Sequence, residues 1–364
     1  MAKLMQLKQD KRTQMVWFVA LGVLILILPF LAGMLGQAWV RILNVTLLYV
    51  MLALGLNVVV GVAGLLDLGY VAFYAVGAYT WSLLASAHFN LHYPFWVLLP
   101  LGACLAALAG LMLGAPVLKL RGDYLAIVTL GFGEIVRILM NNFDKVGLPW
   151  SDETYNITNG PRGITGIDGL NLFGLDLRKG LDVSGFNVSG FNVSGLQLYY
   201  FVFLAFAILS VIGVYRLQHS RLGRAWQALR EDEIAAKAMG INTRNIKLAA
   251  FGFGALTGGL AGGLFASMQG FVSPESFGLL ESIMILAMVV LGGMGHIPGV
   301  ILGAVLLSAM PEVIRYAADE NVQQKIFGVV LIAPEVLRNL IFSLALILIM
   351  LFKPQGLWPS PEKK

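Results

Sequence analysis

Few residues in this chain have the type and spacing to do chemistry, and each sits in an apolar setting. Glu134 and Arg137 stand three apart in the run LAIVTLGFGEIVR, so on a helix they share a face and can pair. A charge at membrane depth is costly. Such a pair is either an internal ion pair that glues helices or a substrate or gating group. Asn57 and Asp67 are straddled by Gly55, Gly61, Gly64 and Gly69, and a second glycine-rich stretch, LGGMGHIPG, breaks the chain at Leu291–Gly299. In secondary transporters, Gly-interrupted apolar segments in both halves mark a discontinuous helix beside the substrate path, and that rule serves here as a pointer. Asn57, Asp67, Glu134 and Arg137 are therefore the candidate pathway residues, with Glu275 and Glu281 placed nearer the mouth.

Reactive constellations are not spelled out. The chain contains no GxxxxGK[ST], HExxH or GxSxG, so neither a P-loop nor a zincin or hydrolase site is expected. Its histidines, His88, His92, His219 and His296, are scattered, with His88 and His92 flanking a short turn. The single cysteine, Cys104, lies in an apolar run and reads as a small packing residue. No cofactor, no metal and no catalytic residue is expected. An intramembrane enzyme would need paired catalytic side chains at one depth, and Glu134–Arg137 is a poor match. A channel would show rings of carbonyls or charges.

The most informative polar segment is SRLGRAWQALREDEIAAKAMGINTRN, Ser220–Asn245. Asp232 can cap a short helix with an acidic first turn, Lys237 follows Glu233 by four, and Gly240 is a natural stop. This helix either lies on lipid or docks on a partner.

The elements that position these residues follow from composition. Apolar residues are 58% of the chain and charged residues 12%, with mean hydropathy +0.80. A soluble domain carries about 25% charged residues. Apolar runs of roughly 18 or more recur, long enough to cross a hydrocarbon core about 30 Å thick. Ten spans are expected, near 16–36, 40–61, 69–87, 94–118, 123–141, 197–216, 247–268, 278–293, 299–315 and 336–352. In lipid such segments must be helices. The fold class is thus all-α: one polytopic transmembrane domain over 1–364, with Lys325–Pro334 too short to cross. The basic N-terminus heads an uncleaved first span that runs on to about Gly36, longer than the apolar core of a secretory signal.

Charge bias orients it. The N-terminal tail, Lys119 and Arg121, loop 216–247 and the tail from Lys353 are basic, and all fall on one side of a ten-span count, the cytoplasmic side. Loop 142–196 is richer in acids and falls outside. Within it, VSGFNVSGFNVSG at Val183–Gly195 reads as a tolerated surface insertion. The net charge of +5 is spent on orientation, and no nucleic acid is expected as a partner. In the seventh span Gly254, Gly258, Gly262, Ala266 and Gly270 recur every fourth position, with Gly259 and Gly263 beside them. That pattern lets membrane helices approach closely and puts this helix inside the bundle.

Six stretches resemble the LivM-type permeases of high-affinity branched-chain amino acid ABC transporters. They are Gly55–Thr80, Leu120–Arg137, Asn159–Ile167, Gly223–Asn242, Val289–Ala304 and Lys353–Leu357, and the likeness covers nearly the whole chain. It implies a permease of the bacterial inner membrane, working by alternating access on leucine, isoleucine, valine or similar amino acids. The partners it implies are a second, LivH-type permease, two LivG/LivF-type cytoplasmic ATPases and a periplasmic binding protein. It also assigns Arg224, Glu233, Ala235, Ala236 and Gly240 to the loop that docks on the ATPase. Permeases for urea or short amides are the alternative within the class.

Overall fold

The computed structural model describes residues 20, 22–117, 122–144, 146–147, 154–172, 175–182 and 192–317, with a few positions beyond. The chain is mostly helical. We number the helices α1 (Gly22–Leu35), α2 (Gln37–Leu56), α3 (Val71–Leu84), α4 (Phe95–Val117), α5 (Asp123–Asn142) and α6 (Gly195–Gln218). Then come α7 (Arg221–Glu231), α8 (Glu233–Ala238), α9 (Thr243–Gln269), α10 (Leu279–Gly292) and α11 (Ile297–Ala317).

Among the described residues, seven helices are long and apolar enough to cross a membrane, so this is a multi-pass membrane protein. The expected count of ten is therefore met only in part. The first and third expected spans appear as Gly22–Leu35 and Val71–Leu84, each short of that length, and the expected span 336–352 lies outside the described residues. So do Lys325–Pro334, Lys119, Arg121 and most of the VSGFN repeat, of which Asn192–Val193 pairs with Leu181–Asp182, just ahead of the repeat, as an antiparallel ribbon.

The short α3 has a physical explanation. Its 14 residues rise about 21 Å, too little for a hydrocarbon core. Ahead of it, α2 runs into a π-helix, Asn57–Val62, and residues 63–70 then climb back without helix. Non-helical backbone at this depth is tolerable only where protein covers it. Covering is what α5 and α10 supply. Leu68 N–H donates to Thr129 Oγ1 at 3.0 Å, and Ser282 Oγ donates to Leu68 O at 2.5 Å. Gly69 N–H donates to Asp67 Oδ1 at 2.9 Å.

Packing grades from centre to rim. Across the best 18-residue window, 83% of the α2 crossing and 67% of α9 are buried, against 28% of α5 and 33% of α6. The centre is α9, laid along α3 and α4. Its glycines form two rows with different neighbours. Gly254 approaches Val59, Gly258 approaches Phe73 and Tyr70, and Gly262 faces the backbone of α3, whereas Gly259 and Gly263 face α4 and Trp81. A Cβ on Gly262 would stand 2.1 Å from Tyr74 O, inside any van der Waals limit. One correction falls at the rim: Cys104 is exposed on α4 and packs no core.

At the end of the bundle where α3 and α9 finish, the loop after α5 closes over the helices. Ile164–Thr165 pairs with Phe271–Val272, and Arg178 donates to Ser267 O at 2.9 Å and Ile167 O at 3.0 Å. His92 Nδ1 meets Asp168 Oδ2 at 2.5 Å, tying the hairpin after α3 to the same loop.

The glycine rows give a direct test. Gly262→Ala should lower thermal stability of the detergent-solubilised protein, since overpacking costs about 1–3 kcal/mol or more. Gly213→Ala is the control, because only Phe253 Cζ at 3.8 Å lies near its Cβ. It should be neutral or gain up to about 1 kcal/mol from helix propensity. Equal melting temperatures for the two variants would refute the close approach.

Candidate functional site

The polar residues singled out by sequence do not form one cluster; the structure divides them among three places. At the rim, Arg137 Nε donates to both carboxylate oxygens of Glu134, at 3.0 and 3.1 Å, and Arg137 also pairs with Glu275 at 3.6 Å. The Glu134 side chain is 40% exposed, so the pair lies on the flank of the isolated chain and not at its centre. Glu281 accepts from Tyr49 Oη at 2.7 Å, joining α10 to α2. Asp67 is buried in the climbing segment, with Oδ1 on Gly69 and Oδ2 without a protein partner.

Asn57 belongs elsewhere. It opens the π-helix, is fully buried, and accepts through Oδ1 from Gly295 N–H at 2.8 Å. The two glycine-rich breaks, 238 positions apart in sequence at that bond, thus touch. Gly61 allows it: a Cβ there would stand 2.0 Å from Asn57 Oδ1 and 2.5 Å from Gly295 N.

Directly against this junction lies the polar loop between α6 and α9. It folds as two helices, where the sequence reading placed only the second. Ser220 caps α7, with Oγ accepting from Gly223 N–H at 3.3 Å. Trp226 and Leu229 turn inward, and Trp226 Nε1 donates to Ile246 O at 2.7 Å. Their spacing, with Leu222 before them, is the helical signal that reveals α7.

Asp232 then ends α7 and caps α8, its Oδ1 accepting from Ile234 and Ala235 N–H at 2.7 and 3.0 Å. At the far end Ile241 N–H bonds Ala236 O and Gly240 N–H bonds Lys237 O, both at 3.1 Å. With φ of +84° at Gly240 this is a Schellman stop. Glu233 turns back to Lys247 at the start of α9, at 2.7 Å, where Lys247 is buried. Ala236 is buried too, while Ala235 and Arg224 are exposed, and Arg224 donates to His219 O at 3.3 Å. Two large apolar side chains are left open, Ile234 at 69% and Met239 at 75% exposed, with Lys237 exposed between them.

Three contacts at this end carried no sequence signal. Arg230, the last cation of α7, donates to Gly61 O, Gln218 donates to Gly295 O at 3.4 Å, and Lys247 Nζ donates to Glu233 Oε1 at 2.7 Å. Among the described residues no group of three His, Cys, Asp or Glu could hold a metal ion. What this arrangement offers is a polar-tied platform that exposes Ile234 and Met239, seated on the junction of two helix breaks.

Comparison with known proteins gives the arrangement its context. Residues 38–351 match the family described as branched-chain amino acid transport system / permease component. The chain is 44% identical over 353 residues to the high-affinity branched-chain amino acid transport system permease protein LivM of Escherichia coli (strain K12), spanning 95% of this chain and 75% of that one. It is 26% identical over 273 residues to the probable branched-chain amino acid transport permease protein LivM of Methanocaldococcus jannaschii, covering 72% and 69%. A stretch of 161 residues is 29% identical to the permease LivH of Escherichia coli (strain K12), covering 44% and 46%. No solved structure matches. With the family model spanning most of the chain and a LivM relative matching over 95% of it, the chain belongs to the family of branched-chain amino acid transport system permeases.

Proposed function

We propose that this chain is the LivM-type half of an ATP-driven importer that carries leucine, isoleucine, valine or similar amino acids across the bacterial inner membrane. One observation supports the division of labour above others. Helix α8 is capped at both ends, anchored through Glu233 and Ala236, and leaves Ile234 and Met239 uncovered. A helix lying on lipid would need a continuous apolar face with basic residues at its border. Here the apolar tips sit on a six-residue helix too short to lie stably by itself, which suits a pocket on a protein partner.

The energy source is then a cytoplasmic ATPase bound at α7–α8, since this chain has no P-loop of its own. The likeness to both LivM and LivH supports pairing with a second permease, the two together enclosing the path. A periplasmic binding protein would deliver substrate to the face formed by the loop after α5. In this reading ten crossings put both termini, α7 and α8 in the cytoplasm. Alternating access needs no covalent step, so the residues act by binding and by moving.

Two measurements test this. Ile234→Asp and Met239→Asp should leave the permease inserted at normal levels while uptake of leucine falls about tenfold and the ATPase subunits no longer co-purify. Undiminished pull-down at matched expression would remove α8 as the docking helix. Topology is read from single cysteines in a Cys104→Ala background, needed because Cys104 is exposed. An impermeant thiol reagent should label Thr165→Cys but not Gln227→Cys in intact cells. The reverse pattern would invert the orientation.

A further inference from the structure

The C-terminal end of a helix leaves its last carbonyls without intrahelical donors, and a cation nearby both bonds them and meets the negative end of the helix dipole. At the end of the α2 crossing that cation comes from another element. Arg230 of α7 places its guanidinium on Gly61 O, in the π-helix, and its stem against Gly64, whose Cβ would stand 2.9 Å from Arg230 Cγ. The same guanidinium borders Gly295: a Cβ there would be 3.2 Å from Arg230 Nη1 and 3.2 Å from Gly61 O. One side chain of the polar loop therefore touches both helix breaks, at the point where Asn57 Oδ1 joins them.

Around that point, the fit is tight and the bonding incomplete. Val58, Val59 and Val60 are buried, and Gly61 has no room for a side chain. Yet Asn57 Nδ2 is buried without a protein partner. A buried donor left unpaired costs the closed arrangement free energy that water would return on opening. The junction is also held from outside, by Arg230 on Gly61 O and by Gln218 on Gly295 O at 3.4 Å.

We infer that Arg230 is the positioning residue of transport: its cap on Gly61 keeps the two helix breaks joined, and withdrawal of α7 by the ATPase uncaps them and opens this end of the path. The inference rests on α7–α8 being the ATPase contact. A π-helix suits the role, because such turns are rare and are found frequently at functional sites. Arg230 touches neither substrate nor the outer face of α8, so its function separates from docking.

The test uses the whole transporter, both permeases and both ATPases, in proteoliposomes with its binding protein. In Arg230→Ala the ATPases should co-purify in wild-type ratio and ATP hydrolysis should continue, but stimulation by loaded binding protein should be lost and uptake should fall about tenfold. Arg230→Lys should recover part of both. Asn57→Ala should resemble Arg230→Ala, and the double variant should be no worse than the worse single one, since both act on one junction. A second readout does not depend on turnover. Val60→Cys in a Cys104→Ala background starts from a residue only 5% exposed. Its modification by a small thiol reagent should quicken at least tenfold when Arg230→Ala is added, and likewise in the intact Arg230 protein trapped with ATP and vanadate. Normal stimulation and uptake in Arg230→Ala, loss of the ATPases from it, additive losses in the double variant, or unchanged Val60→Cys reactivity would each overturn the inference. Should Arg230→Ala not fold, the trapped-state labelling decides alone. Failure of the docking reading appears separately, as ATPase retention by Ile234→Asp and Met239→Asp.

Discussion

A backbone carbonyl or amide inside hydrocarbon has only the protein to bond with, and much of this structure follows from that. Eight residues, 63–70, run without helix at depth, and they are possible because Thr129, Ser282 and Asp67 supply the missing partners. The same constraint explains why Gly69 comes so close to α5, where a Cβ would stand 1.9 Å from Thr129 O. An extended segment exposed to lipid would forfeit several kcal/mol per unpaired group. Paired in this way, the segment leads into the short helix α3.

Interior cover in turn requires a centre that packs closely, and α9 is that centre. Side chains gain nothing by leaving lipid for other side chains, so association rests on contact and on small residues. Two glycine rows let α9 touch α3 and α4 at once, bringing Tyr70 Oη to Gly254 O at 3.1 Å and Thr257 Oγ1 at 3.2 Å. The rim carries the opposite design. On α5, Ile127, Ile135 and Ile138 are exposed, and the Glu134–Arg137 pair neutralises itself in a place that only lipid or another subunit can cover. Because the pair satisfies itself, that face can meet either without an isolated charge.

How far the sequence reveals this depends on the range of each signal. Apolar runs are local, and the helices α2, α4, α5, α6, α9, α10 and α11 stand where such runs lie. Asp232 and Gly240, acting over three or four residues, are legible as cap and stop for the same reason. Hydropathy could not separate a 14-residue helix with its climb from a full span, since both are apolar. It also misjudged Cys104, because an apolar run says nothing about which way a helix faces its neighbours. Asn57–Gly295 and Arg230–Gly61, 238 and 169 positions apart, are set by topology alone. What the sequence did offer was the two glycine clusters. It could not say that they meet, nor that they meet under α7.

The loop that carries the family resemblance repays a closer division. Of its motif residues, Glu233 bonds Lys247, Ala236 is buried and Gly240 sets the exit, so these build the platform. The exposed apolar surface instead comes from Ile234 and Met239, which are not motif positions. Arg224 and Ala235, the other two motif residues, stand exposed beside that surface, so the motif supplies both the anchors and part of the open face. The turn at Asp232 also separates two kinds of contact: Arg230, at the end of α7, donates to Gly61 O, while Ile234, on α8, stays exposed.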